Sequence, residues 1–424
     1  MIEWSEEHTA IAQAVRRFVE DEIKPRRQEL EFGDTPPYDV LRKMLRTFGM
    51  GELQLARFAT QMEREKRAAA GAAGAQGSAA VAVEEGSEKS DSAEARRARA
   101  DALAMQIIPT IEICRYCPGM VTAMGVSLGL TVGTIMSRGS IAQKERFVPA
   151  LLTMEKIGAW AITEPGSGSD AFGSMQASAK RDGAGGYVLS GSKTFITNGP
   201  YADTIVFICK LDEGNPPKDR KVLSFILDKG TPGLTQSKPL RKMGQHSSPT
   251  GELFLEDVRV GKDRLLGETE DREYRAGAKE TFSSERTGVA GMALGIVEQC
   301  LSLCVDYAKN RVQFGKSIGE FQLIQQKLAL MEVARMNIQN IVFRQIELAG
   351  YGRRTTLAEA SAGKLYCARA ATEVALEAVQ LFGGNGYMAE FHVEQLCRDA
   401  KVLQIYAGTD EIQTLQIARD LLKA

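Results

Sequence analysis

The sequence predicts an α+β multidomain protein in which helices are followed by strands and then by helices again. Apolar residues recur at helical spacing near both ends of the chain, whereas short β-branched and aromatic segments separated by Gly, Pro, Asn and Asp fill its middle. No helices alternate with these strands, which argues against a doubly wound nucleotide-binding fold. We predict an N-terminal helical domain over residues 1–157, a central β domain over 158–268 and a C-terminal helical domain over 269–424.

The N-terminal domain begins with a predicted helix that Ser5 can cap. Its apolar face comprises Ile11, Val15, Phe18, Val19 and Ile23. Residues 64–102 are rich in Ala, Gly, Ser and charge and nearly free of large apolar side chains, so burial would not offset their ordering entropy. We predict a mobile insertion there, partly helical at its Ala/Arg-rich end, and a return to helix from Leu103 to Thr153.

The β domain is predicted from alternating segments. GYVLSGSKTFITNG indicates two strands joined by a turn at Ser190 and Gly191, and TIVFICKL, VLSFILDK and GELFLEDVRV are further strands. The C-terminal domain then begins with a long helix, and three more helical stretches predict a four-helix bundle. The apolar positions of that long helix are Val289, Met292, Ile296 and Leu301.

Composition excludes several classes of function. Lys plus Arg (53) nearly balance Asp plus Glu (54), so no global basic field favours nucleic acid or an anionic membrane. The seven cysteines lack zinc-ligand spacing and indicate reduced thiols of an intracellular protein. The N-terminus has no signal-peptide core, and we expect no integral membrane segment. We therefore predict a cytoplasmic protein without metal ligands.

Four loop-like motifs are candidates for a binding site. ITEPGSGSD (162–170) combines glycines with small hydroxyls, RVQFGKSIGEFQ (311–322) places two cations between helices, LFGGNGY (381–387) interrupts a helix, and IYAGTDEIQ (405–413) precedes the last one. Each motif alone is explained as well by a turn, a solvated loop or a helix cap. The histidines share no spacing that would support a metal site or a Ser-His triad.

Together these motifs and KTFITNG occur in the order and approximate spacing of the acyl-CoA dehydrogenases, and the chain resembles that family throughout except over residues 64–102. The resemblance implies the helical, β and four-helix domains predicted above, and FAD as cofactor. It implies an oxidoreductase of fatty-acid metabolism that removes two hydrogens from the α and β carbons of an acyl-CoA, giving trans-2-enoyl-CoA. Electrons would pass to an electron-transfer flavoprotein, and a homotetramer is expected.

The resemblance also assigns positions individually. Those expected beside the flavin and its phosphates in the β domain are Trp160, Ile162, Thr163, Gly168, Ser169, Phe195, Ile196 and Thr197. Family members generally have Trp where this chain has Phe195, which keeps an aromatic surface but loses the indole N–H. Ser169 and Arg286 are expected to contact the substrate.

Further FAD contacts are expected from other parts of the chain. Positions that reach the adenine dinucleotide of a neighbouring subunit are Arg311, Phe314, Gln322, Gln380, Leu381, Phe382, Gly383 and Gly384. The C-terminal loop contributes Thr409 and Glu411. Because the first set would act across a subunit boundary, these assignments imply an oligomer.

The catalytic base departs from the commonest pattern of the family. Many relatives carry Glu at the position of Ala407, and alanine cannot accept a proton. Isovaleryl- and long-chain-type members instead carry the base near the start of the long helix, where this chain has Glu285 beside Arg286. We predict that Glu285 removes the α proton while hydride leaves for flavin N5. Closure of the site should raise the pKa of the base, and Arg286 should oppose that shift.

Four alternatives remain at this stage. Glu285 alone could simply favour the helix dipole or pair with Arg286. The protein could be an oxidase or an enoyl-CoA reductase of the same fold, or a catalytically silent FAD-binding member. Ala407 could also be a replacement of the usual glutamate. The sequence does not specify the length or branching of the acyl group.

Overall fold

A computed structural model of the protein describes residues 3–33, 35–75, 92–270 and 274–423. The N-terminal helices are Glu6–Phe18 (α1), Arg27–Phe32 (α2), Tyr38–Thr47 (α3), Met50–Ala75 (α4), Ala93–Cys114 (α5), Pro118–Met124 (α6), Val132–Arg138 (α7) and Ile141–Leu152 (α8). Ser5 caps α1 as predicted, since its hydroxyl oxygen accepts a hydrogen bond from the His8 N–H at 3.2 Å. A π-helical segment, Gly125–Thr131, joins α6 to α7.

The middle of the chain forms one mixed sheet. Its strands are Gly158–Ala161 (β1), Ser178–Arg181 (β2), Tyr187–Thr197 (β3), Thr204–Leu211 (β4), Val222–Asp228 (β5), Leu234–Gln236 (β6) and Thr250–Val260 (β7). The order is β1-β4-β2-β3-β7-β6, and β5 also pairs with β4. β4 pairs in parallel with β1 and β2, whereas the other neighbours are antiparallel.

The C-terminal domain is helical apart from a short hairpin. Its helices are Tyr274–Asn310 (α9), Gln322–Gly350 (α10), Leu357–Phe382 (α11), His392–Lys401 (α12) and Asp410–Leu421 (α13). The hairpin strands Val312–Gln313 (β8) and Lys316–Ser317 (β9) lie between α9 and α10. The predicted fold class is confirmed: helical domains precede and follow a central sheet.

The two helical domains share one hydrophobic core. Buried side chains of α1, α3 and α5 pack in the same cluster as those of α9, α10, α11 and α12. The sheet has its own core, and a third cluster joins α7 and α8 to residues of β1, β4 and β5. The shared core holds α9, and therefore Glu285, against both helical parts of the chain.

One prediction about local structure is wrong in part and another is wrong. Residues 64–75 continue α4, so this part of the predicted mobile insertion is helical. Residues 93–102 begin α5, which agrees with the helix predicted at the Ala/Arg-rich end; residues 76–91 lie outside the described chain. Ala, Arg, Glu and Lys favour helix, and ion pairs such as Lys144–Glu65 (2.6 Å) tie α4 to α8. Ser190 and Gly191 form no turn, because β3 is continuous and carries a register shift there.

In the described part of the chain, two helices, Pro118–Arg138 and Glu285–Asn310, are long and apolar enough to span a membrane by length and composition alone. Of their most apolar windows, 44% and 67% of the residues are buried within the protein. Core helices of this kind meet the same criteria, so these segments are weak evidence for a membrane span. The seven cysteines are free thiols as predicted, six of them buried and Cys397 half-buried.

Candidate active site

A buried ion pair fixes the first glycine-rich motif to β3. Lys193 is fully buried, and its ammonium donates to the Glu164 carboxylate at 2.8 Å and to the Ile162 carbonyl at 2.9 Å. The same carboxylate accepts from the backbone N–H groups of Gln176 (2.7 Å) and Ala177 (3.0 Å). These four hydrogen bonds hold the turn on which the predicted flavin contacts lie.

The second predicted flavin segment runs beside the first. The Thr194 N–H donates to the Thr163 carbonyl at 3.0 Å, so the structure brings these two segments together as predicted. Phe195 then adopts a left-handed backbone conformation (φ 57°) and leaves 68% of its surface exposed. A bulky residue in this conformation is strained, which is common at functional sites. Phe195 therefore presents an open aromatic ring beside the motif.

Asn198 anchors this end of β3 to the helices. Its side-chain amide donates to the Ala123 and Gly158 carbonyls, each at 2.9 Å, and its oxygen accepts from the Tyr38 hydroxyl at 3.0 Å. The side chain is fully buried, and the backbone is left-handed (φ 63°). These contacts fix the Phe195 segment relative to α3 and α6.

The C-terminal loop is held by donors from three helices. Ala407 has a left-handed backbone (φ 54°), and its carbonyl accepts from Arg286 Nε (3.3 Å) and Gln413 Nε2 (3.0 Å). The next carbonyl, of Gly408, accepts from Lys364 Nζ (2.8 Å) and from the same Gln413 amide (2.7 Å). We call these two residues the Ala407–Gly408 turn. Its contact with Arg286 holds the loop against α9.

Glu285 lies directly before that arginine on α9. Burial raises the pKa of the Glu285 carboxyl to about 7, and the positive charges of Arg286 and Lys364 oppose the rise without cancelling it. Arg286 is buried and also donates from Nη1 to the Ser361 hydroxyl at 3.0 Å. A carboxyl with a pKa near 7 can accept a proton at neutral pH and release it again.

The remaining positions assigned by resemblance differ in exposure. Arg311, Phe314 and Gln322 are exposed around the β8–β9 hairpin, with Phe314 at 94% exposure and φ 54°. Gln380, Gly383 and Gly384 are exposed at the end of α11. The side chains of Trp160, Ile162, Ile196, Leu381 and Phe382 are buried, so any contact with a cofactor would come chiefly from their backbone.

The C-terminal residues assigned to the cofactor sit at the beginning of α13. The Thr409 hydroxyl caps the helix by accepting from the Ile412 N–H at 3.4 Å. The exposed Glu411 carboxyl has a lowered pKa, chiefly through its own backbone N–H. Thr163 and Thr197 are half-buried, and Ser169 is exposed. Contacts between these residues and FAD stay predictions.

The glycine loops fit a large cofactor. A Cβ atom added at Gly166, Gly168, Gly383 or Gly384 would meet no atom within 4 Å, so the backbone there is open to a ligand. The exposed ring of Phe195 offers a stacking surface in the β domain. No group of three or more His, Cys, Asp or Glu residues in the described part of the chain is arranged to hold a metal ion.

Several residues of this region were missed by sequence reasoning. Glu164 lies in ITEPGSGSD and Lys193 lies in KTFITNG. The presence of one acidic and one basic residue in these two motifs was the signal that could have identified their ion pair. Asn198 is the next-to-last residue of KTFITNG, and its role depends on the helices that pack against it. Lys364 and Gln413 gave no signal, because their roles depend on the position of the Ala407–Gly408 turn.

Helical domains around a mixed sheet, open glycine loops and a carboxyl with a raised pKa fit an enzyme that binds a large cofactor beside an acid–base group. The sequence matches the N-terminal, middle and C-terminal domains of acyl-CoA dehydrogenases over residues 39–155, 159–258 and 276–422. The chain belongs to the acyl-CoA dehydrogenase family, whose members depend on FAD.

Individual relatives agree with this membership. The chain is 39% identical to a short-chain-specific acyl-CoA dehydrogenase of Megasphaera elsdenii over 317 residues, which are 75% of this chain and 81% of that protein. It is 34% identical to a 3-(aryl)acrylate reductase of Clostridium sporogenes over 99% of this chain and 100% of that one. The butyryl-CoA dehydrogenase structure from Megasphaera elsdenii superposes with a TM-score of 0.82 at 30% identity and covers both chains completely.

Proposed function

We propose that the protein oxidises an acyl-CoA thioester to the trans-2-enoyl-CoA and that Glu285 is the base. The observation that carries this proposal is a carboxyl with a pKa of about 7 on α9, next in sequence to Arg286, which binds the Ala407–Gly408 turn. The Ala407 side chain carries no proton acceptor. Glu285 directly precedes Arg286, which binds the Ala407 carbonyl, so its carboxyl is the candidate base on this side of the turn.

In this reaction a side chain of the protein accepts one proton from the substrate. The Glu285 carboxylate takes the proton from the α carbon, and the electron pair of that C–H bond forms the α,β double bond as the β hydrogen leaves with its electrons. FAD, when bound, accepts that hydride. Arg286 contributes positive charge beside the base, and its bond to the Ala407 carbonyl holds the loop in place.

The same proposal names the residues that would hold the cofactor and the protein's partners. The open loops at Gly166, Gly168 and Phe195 would take the flavin, and the hairpin around Arg311 and Phe314 would reach the FAD of a second copy of the chain. The function would therefore require an oligomer, which we propose to be a homotetramer. The electron acceptor would be an electron-transfer flavoprotein, and we propose a cytoplasmic location.

One observation also favours the reverse reaction, the reduction of an α,β-unsaturated substrate. The similarity to the 3-(aryl)acrylate reductase spans essentially the whole of both chains. In a reductase, Glu285 in its protonated form would donate a proton to the α carbon of an enoyl substrate. A carboxyl whose pKa lies near 7 serves either direction at neutral pH.

An anaerobic screen tests both directions. The FAD-bound protein is mixed with short, branched, aromatic and long acyl-CoAs, and loss of the flavin absorbance band identifies the substrate for oxidation. In a parallel set, the chemically reduced protein is mixed with enoyl-CoAs and with aryl acrylates, and return of the band identifies reduction. A protein that keeps its flavin spectrum throughout both sets would contradict the proposal.

A further inference from the structure

Lys364 is a fully buried lysine that the predicted mechanism does not use. It lies on α11 with 1% of its surface exposed. Its ammonium donates to the Gly408 carbonyl at 2.8 Å and stands 3.8 Å from the Asp410 carboxylate. A buried ammonium is costly unless it is paired, so its position demands a physical reason.

Lys364 reaches the same turn as the residue that follows the proposed base. Arg286 binds the Ala407 carbonyl and Lys364 binds the Gly408 carbonyl, so two cations from α9 and α11 converge on adjacent peptide groups. A Cβ atom added at Gly408 would lie 3.4 Å from the Arg286 guanidinium, which shows how tightly α9 packs on the turn. The two cations are therefore neighbours of one another and of Glu285.

The charges around Glu285 and Lys364 come from three elements. Arg286 on α9 and Lys364 on α11 act on Glu285, and Asp410 and Glu411 on α13 act on Lys364. Burial is the largest influence on Glu285 and favours the neutral acid, whereas Arg286 and Lys364 favour the carboxylate. Burial raises the pKa of the Tyr406 phenol, so this side chain adds no charge near Glu285 at neutral pH.

We propose that Lys364 is a positioning residue for Glu285: it fixes the Ala407–Gly408 turn beside the carboxyl, and its charge favours the carboxylate over the acid. The inference rests on the proposed function, because a bias toward the carboxylate matters only if Glu285 acts as a base. Asp410 completes the arrangement, since its negative charge helps Lys364 to stay protonated in a buried place.

The charge on Lys364 is itself dependent on pH. Burial lowers the pKa of Lys364 to about 8, and the nearby Asp410 carboxylate opposes that decrease. Lys364 therefore carries most of its charge at pH 7, where Glu285 is about half ionised, and loses that charge at higher pH. Its support for the carboxylate is present where Glu285 titrates and weakens as the pH rises further.

The test is a direct titration of the Glu285 carboxyl in the FAD-bound protein. Infrared difference spectra across pH follow the stretching band of the protonated carboxyl, which Glu285→Gln identifies by its absence. The variants are Lys364→Met, which removes the charge, and Lys364→Arg, which retains it. Arg369→Met is the matched control, because Arg369 binds the same Asp410 at 2.9 Å from a half-exposed position on the same helix.

The proposal predicts that Lys364→Met raises the titration midpoint of Glu285 by about one pKa unit, a tenfold change in the ratio of acid to carboxylate. Lys364→Arg and Arg369→Met should keep the wild-type midpoint. An unchanged midpoint in Lys364→Met would overturn the proposal. If that variant does not fold, Asp410→Asn serves instead: the Glu285 midpoint should rise, because Lys364 loses the carboxylate that helps it to stay protonated, and an unchanged or lowered midpoint would overturn the inference.

This titration needs no turnover and is therefore separable from the proposed function. A raised midpoint in Lys364→Met together with an unresponsive flavin in the substrate screen would support the electrostatic role and reject the reaction. A flavin that bleaches normally together with an unchanged midpoint would reject the role of Lys364 and leave the reaction standing.

Discussion

The buried pair of Glu164 and Lys193 gives a prediction whose size follows from the structure. The two side chains are 5% and 0% exposed, and their charged atoms lie 2.8 Å apart. Lys193→Met leaves a buried carboxylate with two backbone donors, and Glu164→Gln leaves a buried ammonium with one carbonyl. Removing one partner of such a pair costs about 3–5 kcal/mol. The double variant should be more stable than the sum of the single effects by about 1–3 kcal/mol.

The assay is urea unfolding followed by circular dichroism, with FAD retention on gel filtration as a second readout. The matched control is the exposed pair Lys66 and Glu145, whose charges lie 2.6 Å apart with side chains 46% and 44% exposed. Its cycle of Lys66→Met and Glu145→Gln should give a coupling below about 1 kcal/mol. Additive effects at Glu164 and Lys193, or full FAD retention in both single variants, would refute the reasoning that this pair holds the flavin-side turn.

Three further predictions concern titration and the C-terminal loop. The kcat/KM for the oxidised substrate should rise with pH around 7, since Glu285 acts as a carboxylate, and a profile that is flat from pH 6 to 8 would contradict this. Burial, and then the Asp399 carboxylate, raise the pKa of Glu31 to about 8, so the folded state binds an extra proton and the melting temperature should fall from pH 5 to 8. Glu31→Gln should reduce that slope, and parallel slopes would exclude Glu31 as its source. Ala407→Glu should not make Glu285 dispensable; turnover in Ala407→Glu/Glu285→Gln at the wild-type rate would show otherwise.

The order of the domains was predictable because hydrophobic periodicity changes twice along the chain. The misassigned turn at Ser190 and Gly191 shows the limit of local signals. Gly191 has φ 142°, and a Cβ atom there would lie 2.7 Å from Ala177, so the glycine permits a close approach of β2 to a bulged β3. Sequence pattern shows the glycine but not the neighbour that requires it.

The site residues that the family resemblance assigns could be predicted from the sequence. The residues whose roles depend on how helices and loops pack could not. Glu285 and Arg286 are adjacent in sequence, so their mutual influence was foreseen, but the balance between burial and charge required the structure. Lys364 is one of many charged residues on helices, and its contact with Gly408 lies 44 residues away along the chain. The left-handed backbones of Phe195 and Ala407 are equally invisible in the sequence.

The most direct test of the central claim is the rate of flavin reduction in Glu285→Gln. The FAD-bound variant is mixed anaerobically with the acyl-CoA that bleaches the wild-type protein fastest, and Asp420→Asn, which changes an exposed carboxylate near the end of α13, is the control. If Glu285 removes the α proton, its variant should reduce flavin slower by about 10²–10⁴-fold while retaining FAD, and the control should stay near the wild-type rate. A Glu285→Gln protein that bleaches at the wild-type rate would contradict the account.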